Sequence, residues 1–183
     1  MSNQNLPTKT CLVWIRNDLR VRDHAPLRHA ADHYDRVVPV YCFDPRHVGT
    51  TMFDLPKMSA IRARFLCESV QDLCDSLRDL GADLVVRRGK PETVLPKLVR
   101  RVDAEEVAMF QEIGTEERQV ENAVKDALKG TDATPGFFWG LRRAGRVTHG
   151  DRGRSGRVRV FGAVLSLRGG HYAGARDLRS GAV

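Results

Sequence analysis

Four short apolar runs, "CLVWI" (11–15), "RVVPVYCF" (36–43), "DLVVRR" (83–88) and "EEVAMFQ" (105–111), alternate with stretches of helix length. Runs this rich in β-formers read as strands covered on both faces. A strand–helix alternation then closes as a parallel sheet with helices on both sides. "DHAPLRHAADHY" holds helix formers over 24–34. From Lys57 to Leu80, residues Met58, Ile61, Phe65, Leu66, Val70, Leu73, Leu77 and Leu80 recur at threes and fours, predicting one long helix with a buried stripe and Gly81 as its stop. "GKPETVLPKLVRRV" predicts a helix with Pro91 near its first turn. "TEERQVENAVKDALKG" opens on Thr115 with acids behind it and ends in Gly130. "ATPGFFW" (133–139) is a candidate fifth strand.

The charge is unevenly placed. The chain of 183 residues carries +7, yet residues 140–183 hold ten arginines, no lysine and two aspartates, or +8, which leaves −1 for residues 1–139. The organisation expected is an N-terminal extension (1–9), one α/β domain (10–140) and an Arg/Gly-rich tail (141–183). Only "RVRVFGAVLSL" (157–167) in the tail is apolar enough to form a strand. Such a tail suits non-specific nucleic-acid phosphates, but it has only Phe161 and Tyr172 for base stacking, which ranks this reading second.

No run of about 18 apolar residues is present to span a bilayer. "MSNQNLPTKT" has neither an apolar core nor an arginine, so an intracellular protein is expected, its compartment open. Cys11, Cys42, Cys67 and Cys74 form no C-x-x-C pair and lie in apolar periodic segments, which predicts four reduced, packed thiols.

Ligands of a parallel sheet sit at the carboxyl ends of its strands. The first such loop, "RNDLR", lacks the glycines a dinucleotide pyrophosphate needs, and neither a G-x-x-x-x-G-K-[ST] phosphate cradle nor a G-x-S-x-G elbow occurs. His29 and His33 have a zinc-ligand spacing, but with no carboxylate or cysteine placed to complete a site they read as solvated. Two readings of the charges after the first strand stay open. Arg16, Asp18, Arg20 and Asp23 either contact a ligand or pair with one another to stiffen the turn into the first helix.

"VWIRNDLRVRDHAPL", "VVPVYCFDPR", "LPKMSAIRARFLCESVQDLCDSLRDLGADLVVRRGKPETVLPKLV", "FQEIGTEERQVENAV" and the closing "FWG" resemble the N-terminal α/β domain of the photolyase/cryptochrome family, in order and over residues 10 to 140. "PVYCFDPR" and "RARFLCES" are most similar to the DASH cryptochromes. The resemblance implies a Rossmann-like five-stranded parallel domain that holds an antenna pigment, usually methenyltetrahydrofolate. The pigment passes blue-light excitation to FAD in a separate helical domain, which in repair members reduces a cyclobutane pyrimidine dimer in DNA. It also implies antenna contacts at Glu68, Gln111 and Glu112, and makes Arg16, Asn17, Asp18, Arg20 and Asp23 a structural motif.

The likeness has departures. Ile15 stands where the family usually has an aromatic residue, and "KMSA" where "KTGA" is common. After Gly140 the likeness stops, and "LRRAGRVTHGDRG" replaces the expected continuation. The expectation is therefore a truncated DASH-like antenna domain, inactive by itself as a lyase, with its tail from a shifted frame or aberrant splice. It would bind folate weakly, bind no FAD in this chain, and meet a flavin-binding helical domain in trans. The alternative is a nucleic-acid or partner-binding module acting through the tail.

Overall fold

The computed structural model describes residues 8–51 and 53–139, together with the backbone of 159–160. Five strands, β1 (Thr10–Ile15), β2 (Arg36–Phe43), β3 (Val85–Arg88), β4 (Ala104–Gln111) and β5 (Thr134–Trp139), form a parallel sheet in the order β3-β2-β1-β4-β5. The helices between them are α1 (Ala25–His33), α2 (Ala60–Asp79), α3 (Pro91–Val102) and α4 (Thr115–Leu128). The expected α/β class and five-stranded parallel sheet are therefore present. A two-residue strand, β6 (Arg159–Val160), pairs in parallel with Arg36 and Val37 of β2. The rest of the tail and the start of the N-terminal extension lie outside the described residues.

The register of β1 explains its continuous apolar run. Leu12 and Trp14 join Val38, Val40, Val107 and Met109 under α3 and α4, whereas Cys11, Val13 and Ile15 join Val37, Tyr41 and Ala108 under α1 and α2. Both faces are covered, so residues 11–15 are apolar throughout, and the one polar side chain of β1, Thr10, donates its hydroxyl to the Thr8 carbonyl. Chain order runs outward from β1 through β2 to β3, then returns to β4 and β5 on the other side. The switch point of the sheet thus lies between the carboxyl ends of β1 and β4.

Two helix ends show local sequence control. Gly81 at φ 79° closes α2, with its N–H on the Arg78 carbonyl and the next N–H, of Ala82, reaching back to Leu77. The N-cap of α4 is Gly114 rather than Thr115, with Glu116 and Glu117 in the first turn.

Three local expectations are corrected. Only the second half of the α2 stripe is buried, at Val70, Leu73, Cys74 and Leu77; Ile61 and Phe65 in the first half are exposed, as is Leu80 at the C-cap. Cys67 is exposed on that half of the helix, while Cys11, Cys42 and Cys74 are buried. His29 is half-buried rather than solvated: its Nε2 lies 3.1 Å from Glu106 Oε2, which also accepts from Tyr34 Oη at 2.5 Å, while His33 Nδ1 donates to the His29 carbonyl. Glu106 is the carboxylate the sequence pattern did not place there. Among the described residues no group of three or more metal-ligating side chains converges, and no helix is long and apolar enough to cross a membrane.

Candidate functional site

The loop after β1 leaves the sheet at the switch point, and Arg16, Asp18 and Arg20 each find a partner nearby. The Asp18 carboxylate accepts the backbone N–H of Arg16 at 2.9 Å. Its other oxygen, Oδ2, lies 2.5 Å from Nε2 of His24, whose side chain is fully buried. His24 is also the N-cap of α1, since its Nδ1 accepts the Leu27 N–H at 3.1 Å. A nitrogen that accepts cannot carry the ring proton, so the proton sits on Nε2, facing Asp18. Burial by itself would raise the Asp18 carboxyl. The His24 hydrogen bond and the backbone N–H groups outweigh it and hold the group below the ordinary carboxylate value.

Arg16 turns away from Asp18. Its Nη1 donates to Glu121 Oε1 of α4 at 2.5 Å, its Nη2 to the Glu117 carbonyl at 3.4 Å, and its guanidinium lies over the Trp14 ring at 4.6 Å. Arg20 donates to the Asp23 carbonyl at 3.3 Å, with Asp23 itself at φ 51°. The expected pairing of Arg16, Asp18, Arg20 and Asp23 with one another is corrected: the turn is rigid, but the two buried partners, Glu121 and His24, lie outside that set. Asn17 projects to the next strand end, donating to Glu112 Oε1 at 3.1 Å.

The expected antenna contacts fall on two flanks of this loop. Glu68 lines a shallow depression of ≈ 290 Å³ with Leu19, Phe65, Ser69 and Asp72, its carboxylate paired to Arg64 across one helical turn at 2.7 Å. Gln111 ends β4 in register with Trp139 of β5, and Glu112 follows, half-buried. Among the described residues no hydrogen bond joins Glu68 to Gln111 or Glu112. The β1 loop stands between them, with Leu19 beside Glu68 and Asn17 on Glu112.

A second ion-pair cluster follows β2. Asp44, buried, takes three bonds from the Arg46 side chain at 2.6–2.9 Å, and Arg46 Nη2 reaches on to Glu92 at the start of α3 at 2.8 Å. Burial acts against ionisation of Asp44, but the Arg46 bonds prevail and its carboxyl lies below the usual range. The "FDPR" segment thus ties the end of β2 to α3.

The arrangement is a rigid parallel-sheet crest. Carboxylates (Glu68, Asp72, Glu112), one hydroxyl and exposed rings surround a loop held by buried ion pairs. Sequence reasoning passed over Glu121 and His24. The signal for Glu121 was present, because it stands three and seven residues before the buried Val124 and Leu128, where an acid demands a buried partner.

The sequence model described as DNA photolyase matches residues 11–152. The chain belongs to the DNA photolyase family. Its α/β domain is 50% identical over 135 residues to cryptochrome DASH of Gloeobacter violaceus, covering 74% of this chain and 27% of that protein. It is 42% identical over 137 residues to cryptochrome DASH of Xenopus laevis, covering 74% of this chain and 26% of that one. The crystal structure of a Synechocystis cryptochrome superposes with a TM-score of 0.69 at 36% identity, covering 72% of this chain and 27% of that one. The chain thus spans about a quarter of the length of the curated relatives it matches.

Proposed function

We propose that this domain of the DNA photolyase family holds a folate-type antenna pigment of the methenyltetrahydrofolate class and docks a flavin-binding helical domain. The whole would form a blue-light photoreceptor or dimer-repair protein of the cryptochrome DASH kind. The observation that carries the reading is the depression beside the β1 loop. Leu19 and Phe65 offer an apolar face, and Glu68, Asp72 and Ser69 offer hydrogen-bond acceptors. A pterin has a flat face and an N–H edge, so an aromatic ring and carboxylates suit it.

Volume supports a shared site. At ≈ 290 Å³ the depression lies just under the range of about 300–1,000 Å³ typical of closed ligand pockets. Beside it Ile61 and Phe65 of α2 are 84% and 69% exposed. A second domain resting on that half of α2 would complete the wall and cover the apolar surface. Glu68 is free to turn to a ligand, because an exposed i,i+4 pair with Arg64 is worth only about 0.3–0.5 kcal/mol.

The same residues do not fit FAD. The loop after β1 has no glycines for close approach of a pyrophosphate, and at the switch point Arg16 is paired with Glu121 and Asn17 with Glu112. When bound, the antenna would supply light absorption and pass excitation to flavin held elsewhere. The role of this chain is to bind and orient it. Lyase chemistry resides with the flavin domain, so the domain alone is proposed to be non-catalytic.

The test is retention of a near-ultraviolet folate band after the purified chain is incubated with methenyltetrahydrofolate and desalted. The band should weaken in Glu68→Gln, and a colourless protein at saturating pigment overturns the reading. A second reading rests on the ten arginines of residues 140–183, which would bind nucleic-acid phosphates without sequence preference. Binding to single-stranded DNA should then fall steeply with salt and vanish on deletion of 141–183; unchanged binding would rule this role out.

A further inference from the structure

β2 is longer than the strand beside it. β3 pairs with it only from Val40 to Phe43, so the first half of β2 runs past the end of β3 along the edge of the sheet. Two hydrogen bonds fix which way the backbone points there. The Arg36 N–H donates to the Lys9 carbonyl just before β1, and the Phe43 carbonyl accepts from the Gly89 N–H just after β3. Polar groups of successive strand residues alternate in direction. The N–H groups of Arg36 and Val38 therefore face β1, while the N–H and carbonyl of Val37 and the carbonyl of Pro39 face the edge. Pro39 suits that side, since its nitrogen has no hydrogen to donate. Val37 is 2% exposed, and a backbone N–H and carbonyl buried there without partners would be costly.

We propose that this half-edge is a strand-pairing site whose occupant is the chain's own tail at Arg159 and Val160, held main chain to main chain. The two run parallel, with Arg36 opposite Arg159 and Val37 opposite Val160. That register aims the Val37 N–H at the Arg159 carbonyl. "RVRV" (157–160) alternates charged and apolar residues, the pattern of a strand with one covered face. Length permits the pairing within one chain. Residues 140–158 can reach about 60 Å, against about 30 Å from the end of β5 across the sheet to the start of β2. The occupant lies past residue 152, where the match to the DNA photolyase model ends, so it stands outside the shared domain. Its effect is to close an edge that another strand could otherwise join. The pairing needs no pigment and is independent of the folate reading.

Amide hydrogen exchange of the full chain, followed residue by residue by NMR, tests it. The Val37 amide should exchange slowly in the wild type and about fivefold or more faster after deletion of 157–161, while the Val38 amide, which faces β1, keeps its rate. Arg159→Gln removes the charge and keeps the main chain, so both rates should stay as in the wild type. A peptide of residues 155–163 added to the deletion variant should slow Val37 again. If deletion quickens Val38 as well, the peptide decides: a slowed Val37 supports the site, and no slowing overturns it. Equal Val37 rates with and without 157–161 overturn the proposal, and so does an Arg159→Gln rate as fast as that of the deletion. Protection that appears only at concentrations where light scattering shows a dimer overturns the assignment to the chain's own tail.

Discussion

Arg16 Nη1 and Glu121 Oε1 meet at 2.5 Å across 105 residues of chain, with 8% and 4% of their side chains exposed. Removing one member of such a pair strands a buried charge. Glu121→Ala is expected to cost about 3–5 kcal/mol in urea unfolding, whereas replacing both, Arg16→Met with Glu121→Leu, should recover much of that loss. A double replacement as damaging as the single one would show that the ion pair is not the source of the effect.

The positions of β1 and β2 were legible because each is an apolar run covered on both sides; β2 begins and ends at Arg36 and Phe43, the limits of its run. The period of α2 was legible too, but a period reports only that a stripe exists and not which half meets the sheet, so Ile61 and Phe65 were expected inside. The charged loop announced a rigid turn. Its partners were hidden, since a carboxylate in α4 and a capping histidine are chosen by three-dimensional proximity. Glu68, Gln111 and Glu112 had no signature in spacing at all and entered through resemblance alone.

Asp18 carries a pH dependence. Its folded pKa lies below the ordinary carboxylate value of about 3.8, so ionised Asp18 stabilises the fold above that value and the contribution is lost as pH falls through the lower, folded pKa. Asp18→Asn should therefore lower stability at neutral pH and flatten the acid limb of the stability curve below about pH 4. Thermal melts of both proteins between pH 2 and pH 7, two bounds set about the ordinary carboxylate value, measure it, and parallel curves would refute it.

Thiol reactivity should separate one cysteine from the other three. Burial pushes the Cys11 and Cys42 thiols up to about 12, with the charges of Glu106 and Asp44 adding to it, and raises Cys74 as well, whereas Cys67 is exposed. A disulfide reagent at pH 8, close to the ordinary thiol pKa, is expected to titrate one thiol in the native chain and all four after unfolding. Loss of the native signal in Cys67→Ser assigns it.

The two halves of α2 should respond oppositely to substitution. Leu73 is 1% exposed between α2 and the sheet, so Leu73→Ala is expected to cost about 2–5 kcal/mol. Ile61→Ser and Phe65→Ser remove exposed surface and should leave stability within about 0.5 kcal/mol. Denaturant midpoints decide the matter. A large loss at Phe65 would mean that its ring is already covered within this chain.

Glu106 joins three elements. Its Oε2 accepts from Tyr34 at the end of α1 and lies 3.1 Å from His29 Nε2, while its Oε1 would sit 1.9 Å from a Cβ added to Gly136 of β5. Tyr34→Phe leaves Glu106 one partner short and should cost about 1–2 kcal/mol. Gly136→Ala should cost about 1–3 kcal/mol, because the carboxylate must move and its partners hold it in place. The two effects are therefore interdependent. With Tyr34 reduced to Phe the carboxylate is freer to yield, so Gly136→Ala should cost less in the Tyr34→Phe background than in the wild type. Strict additivity in urea unfolding would show that the clash is relieved by the strand rather than by Glu106.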